Sequence, residues 1–181
     1  MRTKYFRRER SAWKAGVAGM VSGLAATVVM TGFQSVWNRA SEELNPKPRS
    51  EPSSQSEEEK EDATMKAAGK VAELAGQRLS HQDKKKAGPL VHFGFGTAMG
   101  AVYGLTHEAA PRELQKLDPV SSGTGYGTAL FLAADEAALP ALGLAGKPSK
   151  TPISTHIYGL ASHLVYGVVA AFLFKEVRSR L

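Results

Sequence analysis

Between Gly123 and Gly146 the chain reads GTGYGTALFLAADEAALPALGLAG, an apolar, glycine-rich stretch with two carboxylates, Asp135 and Glu136, side by side near its middle. At mid-depth in a bilayer each carboxylate costs about 2.5 to 3.5 kcal/mol on insertion scales, so the rest of the chain must bring partners or water to them. A lone span cannot do that. Three more apolar runs, at 15–37, 89–110 and 153–174, supply the neighbours.

The run from Ala15 to Trp37 holds 23 residues without a charge, enough to cross a hydrocarbon core of about 30 Å as a helix. Tyr5, Phe6 and Trp13 precede it and Trp37 closes it, in the manner of interfacial aromatic anchors. A cleavable signal peptide is the competing reading of a basic start followed by an apolar run. The run is long for that role and no A-x-A-like site follows it, which favours a retained anchor.

Net charge is +6, which on its own suits nucleic acid. However, Arg2, Lys4, Arg7, Arg8, Arg10 and Lys14 precede the first run, and Lys175, Arg178 and Arg180 follow the last. Basic residues in those places set membrane orientation or touch anionic head groups, so a nucleic-acid partner is not expected. Lys and Arg on the two sides of a four-span arrangement nearly balance; the dense cluster before the first run decides the expectation that both termini are cytoplasmic. Cysteine is absent, which removes disulfides, thiolate metal sites and cysteine nucleophiles.

From Asn38 to Gly88 the composition turns polar. PKPRSEPSSQSEEEKED, from Pro46 to Asp62, cannot bury enough apolar area to fold alone and reads as a linker. Met65, Ala68, Val71, Ala72, Ala75 and Leu79 then recur at helical spacing, predicting an amphipathic helix over about 63–80 that rests on the membrane surface or on the protein.

The remaining runs are marked by small residues one turn apart. Gly96, Gly100 and Gly104 make such a stripe in the run that starts at Pro89, Gly123 and Gly127 open the next, and Gly159 and Gly167 share a face with His156 and His163 in the last. Pro140 predicts a kink or an early end in the third run, with 141–152 as a loop. Val102-Tyr103-Gly104 matches Val165-Tyr166-Gly167 at an offset of 63, as a duplicated helical hairpin would. Three glycine stripes offer more packing faces than one four-helix bundle uses, so the bilayer is expected to be joined by a second copy or a larger membrane complex as partner.

The fold class expected is therefore all-α: an integral membrane bundle of four transmembrane helices, with a long polar loop after the first and one amphipathic helix in it. A basic N-terminus (1–14) and a basic C-terminus (175–181) flank it. The HFGFGTAMGAVYG segment (92–104), GTGYGTALFLAADEAALPALGL (123–144) and the final H-x6-H-x2-YG segment (156–167) together resemble the YagU-like family of bacterial inner-membrane proteins. The resemblance covers the first run and everything after Pro89. It implies a small multi-span protein of the inner membrane and brings no catalytic site.

The candidates for chemistry are His92, His107, Glu108, Asp135, Glu136, His156 and His163. Adjacent residues on an α-helix point about 100° apart, so one of Asp135 and Glu136 is expected to face the fourth run and the other a different neighbour or a water-filled crevice. Antiparallel third and fourth runs bring an Asp135 or Glu136 contact with His163. A helix-bridging polar cluster of Asp135, Glu136, His156, His163 and His92 either only holds spans together, at about 1 kcal/mol per bond, or takes up and releases protons, since histidine titrates near neutrality. The second reading suits a pH-linked or acid-stress role; a small transporter or channel and a haem b subunit are the alternatives. His156 and His163 lie two turns, about 10.5 Å, apart and do not share one metal ion. His107-Glu108 reads as a solvated helix end. No G-x-S-x-G, H-E-x-x-H or phosphate-cradling loop is present, so neither enzymatic chemistry nor a bound cofactor or metal is expected.

Overall fold

The computed structural model describes residues 11–44 and 61–181. The basic cluster at 1–10 and most of the predicted linker lie outside the described residues. Among the described residues, seven α-helices form in the order α1 (Ala12–Leu44), α2 (Ala63–Leu74), α3 (His81–Ala109), α4 (Arg112–Gln115), α5 (Pro119–Phe131), α6 (Leu139–Ala141) and α7 (Ile153–Arg180). A π-helical segment at Leu132–Ala138 joins α5 to α6, and a 3-10 turn at Pro148–Lys150 precedes α7. No strand occurs among the described residues. α1 and α7 are long and apolar enough to cross a membrane.

Local chemistry sets the boundaries and corrects several expected ones. α1 runs past Trp37 to Leu44, because helix-forming Arg39, Ala40, Glu42, Glu43 and Leu44 continue it into the polar segment. α2 stops at Leu74 and not near residue 80. Gly76 takes φ +77°, its N–H bonds the Glu73 carbonyl and the Gln77 N–H reaches back to the Ala72 carbonyl, a Schellman end that only glycine closes without strain. α3 begins eight residues before Pro89, at His81, because the Ser80 hydroxyl accepts the Asp83 N–H and starts the helix there; Pro89 lies inside it. α5 likewise starts early, at Pro119, with the Asp118 carboxylate capping the Val120 and Ser121 N–H groups.

Around the bundle the order is α3, α1, α7, α5, each antiparallel to its neighbour. α1 carries two stripes of small residues one turn apart. Gly19 and Gly23 lie on the backbone at Gly96 and Gly100 of α3, so closely that a Cβ at any of these four positions would overlap the facing helix. The second stripe, Ala18, Ser22 and Ala26, is buried, and Ala15, Ala18 and Ala26 pack with Tyr166, Ala170, Ala171 and Phe174 of α7. The α5–α7 seam repeats the first arrangement: Gly123 and Gly127 meet the backbone at Gly167 and His163. The absent side chains let the helix backbones approach into close van der Waals contact along both seams.

The fourth side of the bundle is closed differently. Tyrosines bridge α3 and α5, with the Tyr103 and Tyr126 rings 5.0 Å apart and the Tyr126 hydroxyl donating to the Met99 carbonyl at 2.6 Å. Tyr166, from α7, donates to the Gly96 carbonyl at 2.6 Å. The two tyrosines of the matched Val-Tyr-Gly motifs thus both point into the bundle, where Tyr103 is 5 % and Tyr166 is 2 % exposed. The outside is apolar: Val17, Met20, Val21, Leu24, Val28 and Val29 of α1 are all exposed.

Candidate functional site

The bundle gathers its ionisable groups at two opposite ends. One end is where α6, the loop before α7 and the start of α7 meet. Here the helix that carries Asp135 and Glu136 widens one turn before Pro140 and ends just past it, at Ala141, the early end that Pro140 predicts. The Leu139 N–H bonds the Ala134 carbonyl, five residues back, in the π-helical segment. Pro140 has no N–H to give to the Glu136 carbonyl and its ring would crowd that carbonyl in a regular α-helix, so a wider turn relieves both faults. The helix then ends in a second Schellman motif, with Gly143 at φ +69° and the Leu144 N–H on the Leu139 carbonyl.

The wide turn also changes where the carboxylates go. More residues per turn means less splay between neighbours than the 100° of an α-helix, and both carboxylates reach α7. This corrects the expectation that they face different neighbours. Asp135 Oδ2 lies 3.7 Å from His163 Nδ1, and Glu136 Oε1 lies 2.6 Å from His156 Nδ1. Gly159 makes room for the first pair: a Cβ there would stand 2.9 Å from the Phe131 ring and 3.2 Å from Asp135 Oδ2. His92 touches neither carboxylate. Its Nε2 faces Thr31 Oγ1 at 3.4 Å across the α1–α3 seam, and it stays within electrostatic range of His163.

Hydrogen-bond partners fix where protons sit. His163 Nδ1 is 2.9 Å from the Gly159 carbonyl, which can only accept, so that nitrogen carries a hydrogen. His156 is more constrained, because its Nε2 faces the Pro148 carbonyl at 3.2 Å while its Nδ1 faces Glu136. Both ring nitrogens look at acceptors. The contact to Glu136 is a hydrogen bond only if one more proton lies between them, on the imidazole or on the carboxyl, so the pair holds a proton and is neutral overall. A cleft of about 150 Å³ opens beside it, lined by Phe131, Asp135, Glu136, Leu139, Thr151 and His156 among others. Among the described residues, no three or more His, Asp or Glu side chains converge as a metal site.

At the opposite end the sequence reading missed a pair. Glu108, expected to be solvated, is 3.1 Å from the buried Arg178 guanidinium and accepts the Ser11 N–H at 3.1 Å. α3, α7 and the start of α1 are thus tied together. Gln115, from α4, caps the end of α3 by donating to the Glu108 and Ala110 carbonyls. Spacing could not reveal the pair, since its members are 70 residues apart. The one signal was that Glu108 sits at the end of one apolar run and Arg178 just beyond another.

No protein-family model, curated protein or solved structure matches the chain.

Proposed function

We propose that the chain is a four-span membrane protein of the YagU-like, bacterial inner-membrane kind, with a proton-linked role centred on the carboxylate–histidine pairs of α5–α6 and α7. The observation that carries the proton-linked reading is the Glu136–His156 contact at 2.6 Å with a carbonyl at the other ring nitrogen, because that arrangement retains a proton beside an open cleft. The membrane reading rests on the two long apolar helices and on the exposed valines, leucines and methionine around α1. α3 and the α5–α6 helix are the other two spans, antiparallel to these and joined to them by backbone contact at glycine. The 3-10 turn and the loop after α6 then share one side of the membrane with the end of α1.

A small transporter is the second reading, favoured by the cleft that reaches Asp135 and Glu136. Haem ligation is less compatible, because both nitrogens of His156 are already engaged.

Two experiments test these readings. The chain has no cysteine, so single cysteines report topology without background. Ser41→Cys and Ser149→Cys are expected to react with an impermeant maleimide from one side, Glu113→Cys and Ser179→Cys from the other; one shared side for all four overturns the four-span reading. Proton flux into liposomes loaded with a pH dye is expected to fall in Glu136→Gln and His156→Gln. Unchanged flux, with helix content intact, overturns the proton-linked role.

A further inference from the structure

Asp135 and Glu136 are chain neighbours, but they are not equivalent. Glu136 is engaged by His156 at 2.6 Å. Asp135 accepts no hydrogen bond from any described residue; its nearest basic neighbour is His163 at 3.7 Å, whose Nδ1–H is already given to the Gly159 carbonyl. That leaves one carboxylate with unfilled acceptor positions on the wall of a cleft.

The other groups around it do not cancel its charge. From α7 the Glu136–His156 unit is neutral overall, and His163 needs only one proton to satisfy the Gly159 carbonyl. From α3, His92 reaches only as far as electrostatic range of His163. Lys147 and Lys150 are exposed on the loop and do not line the cleft. The rest of the lining is mixed: the Phe131 ring, Leu139 and Ala145 are apolar, and Thr151 and Thr155 carry hydroxyls. A bare metal ion finds too few converging ligands. A cavity of about 150 Å³ has room for a molecule of benzene's size.

We propose that this cleft binds a small primary ammonium ion with a short apolar tail, the ammonium on the Asp135 carboxylate and the tail on Phe131 and Leu139. The inference rests on the same cleft as the proton-linked reading but uses the other carboxylate. The Glu136–His156 unit holds the proton, and Asp135 holds the cation.

The test is calorimetric titration of the full chain in detergent at pH 8 with propylammonium chloride, against sodium chloride and tetramethylammonium chloride at equal ionic strength. Saturable binding of propylammonium is expected, and it weakens about tenfold or more in Asp135→Asn, the loss of one charge-assisted hydrogen bond. Gly146→Phe keeps Asp135 in place and is expected to block the cleft, since Gly146 lines it and a Cβ there meets nothing within 4 Å. Glu176→Gln, exposed at the far end of α7, is expected to bind as the parent does. No saturable binding, equal binding by Asp135→Asn or Gly146→Phe, or sodium binding as tight as propylammonium overturns the proposal. Proton flux that still depends on Glu136 alongside such a result would leave the proton-linked reading standing.

Discussion

The two ends of the bundle both take carboxylates out of water, but they pair them with different cations. At one end Glu108 is held by Arg178, which is 4 % exposed and never loses its charge. At the other, Asp135 lies 3.7 Å from His163 and Glu136 lies 2.6 Å from His156, imidazoles in place of a guanidinium. The first end is a permanent clamp on α1, α3 and α7. The second, the adjustable end of the proton-linked reading proposed above, sits beside a cleft. The same fold thus holds one carboxylate against a guanidinium and two against imidazoles.

The largest expected effect comes from breaking the clamp. Arg178→Met takes the buried guanidinium away from the mostly buried Glu108 and is expected to cost about 3 to 5 kcal/mol of stability, read by unfolding in mixed micelles; a change below about 1 kcal/mol would remove the contrast between the ends. His156→Gln at the adjustable end is expected to cost less, about 1 to 2 kcal/mol, because Gln keeps a donor for Glu136 and only one side chain–side chain bond is exchanged. Equal losses at the two ends would show that both are structural clamps.

Gly159→Ala sharpens the comparison inside the adjustable end. Its methyl meets the Phe131 ring edge and Asp135, side chains that can shift, so a loss of about 1 kcal/mol is expected together with an altered His163 ring-nitrogen signal in nuclear magnetic resonance spectra. An unchanged His163 signal would mean that Asp135 does not feel this seam. The smallest effects lie outside the bundle. Asp62→Ala removes the cap of α2 and is expected to cost about 1 kcal/mol, measured as lost protection of the α2 amides from hydrogen exchange.

Acid should reach the caps by a route separate from the histidines. The Ser121 hydroxyl and N–H hold the Asp118 carboxyl below its usual range. Asp62 is held low as well: desolvation pushes it up, but the Thr64 hydroxyl and the Met65 and Thr64 N–H groups outweigh that. A carboxyl lowered in the folded state adds stability that is fully present above its unfolded value, about 3.9, and is lost as pH falls through the folded value. The starts of α2 and α5 are therefore expected to loosen below about pH 4, read as lost hydrogen-exchange protection of their first amides; unchanged protection between pH 6 and pH 3 would contradict it.

Much of this was written in the chain. The uncharged run of α1 and the glycines one turn apart follow from lengths and side-chain types that act locally. The start of α5 and the end of α2 had local signals that the expected boundaries passed over: Asp118-Pro119, and Leu-Ala-Gly at 74–76, which places glycine where a helix end needs positive φ. The start of α3 at Ser80 was in the sequence but masked by Pro89, a strong signal for the wrong place. The π-helical turn was not legible, because the wide form competes with a kink at the same proline and packing against α7 decides between them.

The sequence by itself determined that the chain is helical, that its helices meet through glycine, and that it must shelter two adjacent carboxylates. Those results depend on residue type and short spacing. Tertiary structure alone decided that Glu136 takes His156 while Asp135 lies near His163 without a hydrogen bond, that His92 stands apart, and that Glu108 finds Arg178. Such pairings depend on the relative depth and rotation of helices that are far apart in the chain, and a shift of one residue along a helix turns a side chain by about 100°.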